Sequence, residues 1–98
     1  MLIVAGWMDV DSADRGAFLE SRMEAMTKTR SEPGCLEYVF SPDPIDPSRV
    51  RLFELWESRA DLDVHLQTMR STPPPAGAIP VVGRNVAIYE IAASESLG

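Results

Sequence analysis

The opening residues MLIVAGWMDV, with NVAIYEIAA near the other end, constrain the fold most. Each is a short, aliphatic-rich run, too brief for a helix, and each reads as a strand. In the first, Leu2, Val4, Met8 and Val10 fall on one face, and Ile3, Ala5 and Trp7 on the other. In the last, Ala87, Tyr89 and Ile91 oppose Val86 and Ile88. A strand that is apolar on both faces must be covered on both. The chain has two helical segments, enough for one face only. A homodimer, sheet against sheet, is the economical cover for the other, because monomers seldom leave large apolar patches in water.

Glycine and proline punctuate what lies between. Strand 2–10 leads through Asp11 and Ser12, either of which can cap, to a helix over residues 13–31. Glu20, Glu24, Thr27 and Lys28 fall on its polar face, and Phe18, Leu19, Met23 and Met26 on its apolar face. Pro33-Gly34 ends it. CLEYVFS (35–41) is a second strand, PDPIDPS (42–48) a proline-rich hairpin loop and RVRLFELWE (49–57) a third strand. Ser58 opens the second helix, with Asp61 three residues on as its capping-box partner, and the helix runs to Arg70. Residues 71–83 hold three successive prolines and read as a loop; strand 85–93 and a small-residue tail over 94–98 follow. The order β-α-β-β-α-β predicts a single α+β domain over 1–98, ferredoxin-like, with a four-stranded antiparallel sheet.

Several classes of function are disfavoured. The net charge is −6, with nine scattered basic residues, which argues against nucleic acid. The apolar N-terminal run lacks a basic leader and a cleavage site, so neither a signal peptide nor a membrane span is expected. One cysteine, Cys35, and one histidine, His65, build no zinc or iron–sulfur site, and no phosphate-cradling loop is present. The lone cysteine fits a reducing cytoplasm. Any catalysis is expected to use ordinary side chains.

The single histidine is the main candidate. Leu62, His65, Leu66 and Met69 fall at i, i+3, i+4 and i+7, a core-facing stripe. His65 is therefore either a buried, hydrogen-bonded core histidine or a proton-transfer group lining a hollow. Trp56 and Glu54 share one face of the third strand; a carboxylate there needs a partner, a wet cavity or an exposed edge. Tyr38 and Tyr89 carry hydroxyls that need partners if buried. Arg22 falls on the apolar arc of the first helix, where it either snorkels out or orients an anionic or phenolic group. Met8, Met23, Met26 and Met69 suit a deformable apolar lining or a core. Asn85 begins the last strand or ends the loop before it.

At EPGCLEYVF (32–40) and FELWESRADLDVHLQT (53–68) the chain resembles the antibiotic biosynthesis monooxygenase family. That pattern is an E-P-G-C-x-x-Y turn and strand, then a strand ending E-x-W-E-S and a helix carrying L-x-x-H-L. Its positions here are Glu32, Pro33, Gly34, Cys35 and Tyr38, then Glu54, Trp56, Glu57 and Ser58, then Leu62, His65 and Leu66. With the element order, the likeness covers about residues 2–92. It implies a dimeric α/β barrel and oxidation of quinols or polyketide-like phenols by dioxygen, with no cofactor. In that scheme His65 is the base, Trp56, Tyr38 and the methionines Met23 and Met26 are walls, and Arg22 or Asn85 steadies the oxyanion. Glu54 joins the substrate-binding set.

Two departures stand out. Heme-degrading relatives carry an Asn in the first strand, a Trp on the second helix and a later His; here those features are Gly6-Trp7, His65 and no further histidine. The segment after the second helix, usually helical in the family, is here STPPPAGAIPVVG. Two other readings use the same residues: an isomerase of a small carbonyl metabolite with the same base, similar to an autoinducer-processing isomerase, and a non-catalytic dimeric ligand-binding domain.

Overall fold

A computed structural model describes all 98 residues. β1 (Leu2–Asp9), α1 (Arg15–Ser21), α2 (Met23–Thr29), β2 (Cys35–Pro42), β3 (Arg49–Trp56), α3 (Arg59–Ser71) and β4 (Gly83–Glu90) follow in order. The strands form one antiparallel sheet in the order β2-β3-β1-β4, the ferredoxin-like arrangement expected. No helix is long and apolar enough to cross a membrane.

Register divides the sheet into two faces. Leu2 pairs with Trp56, Val4 with Glu54 and Met8 with Val50, and all six are buried beneath the helices. Tyr38 and Phe40 join that face from β2, opposite Glu54 and Leu52. The helices add Phe18, Met26 and Leu62 to the core. Ile79 and Val81 of the proline-rich loop pack against it, and Val82 N–H donates to Asp9 O at 2.8 Å. The other face carries Ile3, Ala5, Trp7, Val39, Phe53, Leu55 and Ala87, each half-buried in the single chain, and Tyr89, which is exposed. No helix covers it.

Two elements differ from the sequence-based expectation. The first helix is two, broken at Arg22, whose N–H bonds Leu19 O at 3.1 Å, one residue short of the α-helical span. The inward stripe runs Phe18, Arg22, Met26, Thr29, with Arg22 half-buried between buried neighbours, while Met23, about 100° round the helix, is exposed. The last strand begins at Gly83 and ends at Glu90, because Asp9 pairs with Gly83 and Leu2 with Glu90; pairing with β1, and not the flanking residues, sets its limits.

Candidate active site

Three elements converge where β3 ends. Ser58 caps α3: its Oγ accepts from Asp61 N–H at 3.2 Å and its hydroxyl donates to Asp61 Oδ2 at 2.8 Å. This fixes the start of α3 and turns Leu62 and His65 onto the sheet, where both are buried. The exposed run 67–71, including Met69 at 43%, lies outside that contact.

His65 is 3% exposed. Its Nδ1 lies 2.9 Å from Glu32 Oε1 and 3.4 Å from Oε2. The ring sits 4.9 Å from the Trp56 ring, tilted by 36°, and meets Tyr38 edge-on at 5.4 Å. The Trp56 indole N–H donates to Glu54 Oε1 at 2.8 Å, which supplies the partner that a buried carboxylate needs. Burial pushes the Glu54 carboxyl above its ordinary 4.5, against the pull of the Trp56 hydrogen bond and the nearby His65. Burial, and then the Glu54 charge across the strand pair, raises the Tyr38 phenol to about 12, so its hydroxyl stays protonated at neutral pH. Burial and the charges of Glu32 and Glu54 also push the Cys35 thiol up, which disfavours a nucleophilic thiolate there.

Arg22 points inward from the helix break. Its guanidinium carbon lies 5.1 Å from the Phe40 ring centroid, and its Nε is buried without a hydrogen-bond partner. Met26 walls the same region, its sulfur accepting from Phe40 N–H at 3.3 Å. The structure thus brings His65, Trp56, Glu54 and Tyr38 together, with Arg22 and Met26 alongside. It does not bring Met23, which is 59% exposed. Asn85 is also remote: it pairs with Trp7, five positions along β1 from the Leu2–Trp56 pair, or ~17 Å, and on the uncovered face.

Glu32 is the residue that sequence reasoning missed as part of the site. It lies 33 residues from His65, so no periodicity connects them; its place in the E-P-G-C turn was the only signal. Gly34 holds that turn in position. It has φ +79°, and a Cβ there would collide with the Asp61 side chain, while its carbonyl accepts from Glu57 N–H at 2.8 Å. The turn is therefore pressed onto the N-terminus of α3, which delivers the Glu32 carboxylate to His65.

The imidazole is packed by its neighbours and does not face an open hollow. A groove of about 310 Å³ between α2 and α3 is lined by Lys28, Glu32, Pro33, Asp61, Val64 and Thr68. A second depression of about 290 Å³ runs along β2, with Arg30 and Tyr38 in its lining. Neither is lined by His65, but each touches one of its neighbours, Glu32 or Tyr38.

This fold recurs in solved structures. A candidate antibiotic biosynthesis monooxygenase from Deinococcus radiodurans superposes with a TM-score of 0.75 at 21% identity, covering 100% of this chain and 99% of its own. A heme-degrader from Mycobacterium tuberculosis, solved with two hemes bound in its active site, does so with a TM-score of 0.72 at 10% identity, over 98% of this chain and 100% of its own. At these identities the likeness is one of fold. An uncharacterized protein from Synechocystis is 36% identical over 67 residues, which are 68% of this chain and 46% of that protein, so the chain spans about half the length of that curated relative. Residues 1–72 match the family model for antibiotic biosynthesis monooxygenase, and the chain belongs to that family.

Proposed function

We propose that this protein is a small cofactor-independent monooxygenase that oxidises a quinol or other phenolic aromatic with dioxygen. The observation that carries the reading is the cluster of buried His65, Glu54 and Tyr38, with the half-buried Glu32 carboxylate bonded to the histidine, at one end of a mainly apolar core. Burying such groups is costly, and packing alone does not call for three of them side by side in a 98-residue domain. Family membership supports a monooxygenase class of chemistry.

His65 takes the phenolic proton on Nε2, which has no partner within the chain. The phenolate then reduces dioxygen. One oxygen atom enters the product and the other leaves as water, so all four electrons come from the substrate. Arg22, through its unpartnered Nε, and Tyr38, as a protonated hydroxyl, donate to the phenolate oxygen. Trp56 and Met26 form walls. Substrate reaches the buried ring by displacing side chains from around it. Two copies pair through the uncovered sheet face. Dioxygen uptake with a panel of hydroquinones is the test: His65→Ala should abolish uptake while the far-ultraviolet circular dichroism stays native, and an unchanged rate removes His65 from the mechanism.

The enclosed imidazole favours one second reading, a ligand-binding domain without turnover in which His65 only packs. Ligand-induced tryptophan quenching with no dioxygen uptake from any quinol would select it.

A further inference from the structure

We propose that Glu32 is the positioning residue of His65, setting which imidazole nitrogen is free; its catalytic importance, though not the geometry, rests on the function proposed above. A carboxylate oxygen only accepts. At 2.9 Å from Nδ1 it requires the proton of the neutral ring to sit on Nδ1, which leaves Nε2 bare. The second oxygen, at 3.4 Å, tightens the same constraint on the orientation of the ring. No other group of the chain bonds either ring nitrogen, so Glu32 alone breaks the symmetry between them.

Its placement suits that task. The residue sits on neither helix nor strand but on the turn between α2 and β2, which the close approach of Gly34 to Asp61 holds against α3. Its side chain is 24% exposed while that of His65 is 4% exposed, and it lines the groove between α2 and α3. The buried base therefore has a solvent-linked partner on the side away from β4. Glu54, the other carboxylate of the cluster, is engaged by the Trp56 indole instead.

Because the chain has one histidine, long-range proton–nitrogen correlation of the imidazole reports this residue alone. In the unaltered protein at pH 8, Nδ1 should carry the proton and Nε2 should show the shift of a bare ring nitrogen; in Glu32→Ala the proton should move substantially to Nε2. A protonated Nε2 in the unaltered protein overturns the inference, as does an unchanged tautomer in Glu32→Ala with a native amide spectrum. Should Glu32→Ala not fold, the spectrum of the unaltered protein still decides. If the protein consumes dioxygen with a quinol, Glu32→Ala should lower kcat by about 100-fold, and an unchanged kcat with a moved tautomer refutes the catalytic weight given to it. Absence of turnover in the unaltered protein counts against the proposed function and leaves the tautomer measurement standing.

Discussion

Gly34→Ala is a small change with a consequence at a distance. Gly34 has φ +79°, where a non-glycine residue costs roughly 1–2 kcal/mol. The added methyl also collides with the Asp61 side chain. Moving the Asp61 side chain aside gives up its bond with the Ser58 hydroxyl, a hydrogen bond worth about 1 kcal/mol. The stiffer unfolded chain returns ~0.4–1 kcal/mol. The net expectation is a loss of about 2 kcal/mol, or a fall in Tm of roughly 8–16 °C for a domain of this size. Thermal unfolding followed by circular dichroism gives the number. Combining Gly34→Ala with Asp61→Ala removes the collision and keeps the backbone cost, so the double variant should be less destabilised than the two single losses added, by about 1 kcal/mol. The imidazole should register the change too, since a shifted turn withdraws Glu32 from His65. A loss below about 0.5 kcal/mol, the ordinary size of a surface change, would refute the clamp between turn and helix.

Glu54→Gln retains an oxygen to accept from Trp56. Because the folded-state value of Glu54 is raised, its protonation stabilises the fold below the ordinary 4.5, and that contribution is lost as pH rises through the folded value. The Gln variant should therefore gain roughly 1 kcal/mol in urea unfolding at pH 7 and show no gain at pH 3; a loss at pH 7 refutes the sign. Tyr38 follows the same logic at alkaline pH: its stabilisation is complete below its ordinary 10 and disappears by about 12. Over those two pH units, at about 1.4 kcal/mol each, the protein should lose ~2–3 kcal/mol more than Tyr38→Phe, and parallel curves would contradict this. For the uncovered face, sedimentation should show a dimer that Leu55→Glu converts to a folded monomer; a monomeric unaltered protein would dispose of the proposed pairing.

How much of this was legible in the sequence differs by residue. The first three strands, the Pro33-Gly34 turn and the Ser58 cap are local signals, and each lies within a residue of where the sequence places it, whereas the limits of the last strand come from its pairing with β1. The two apolar parities of β1 reappear as a buried face and a half-buried one. Helical phase was harder. A charged residue in the middle of an apolar arc suggested that Arg22 points outward, yet the stripe passes through it and turns Met23 to solvent. Met69 shared the spacing of the α3 stripe, but the last turn of that helix makes no comparable burial. The Glu32–His65 pair is tertiary in origin, and nothing in local spacing announces a contact between a turn and a helix 33 residues later.

The buried face of β3 divides the molecule into two parts. Val50 and Leu52, beside Met8 and Phe40, make a wholly apolar half. One step further along the same face, Glu54 and Trp56 meet Tyr38 and His65, and the core becomes polar. If the polar half served only to hold the fold, it would be the poorer half at doing so, since each of its groups must recover in hydrogen bonds what it loses in hydration. Its position supplies a reason for it. This is the end of the sheet where the α2–β2 turn and the start of α3 lie together, so a turn residue can reach a helix residue from the solvent side. At the other end the helix-to-loop contact is a different one, Arg15 of α1 donating to the carbonyls of Asp43, Asp46 and Arg49. A hydrogen-bonded imidazole with one nitrogen free can be built at one end of this sheet, and that is the end at which the chain has placed its only histidine.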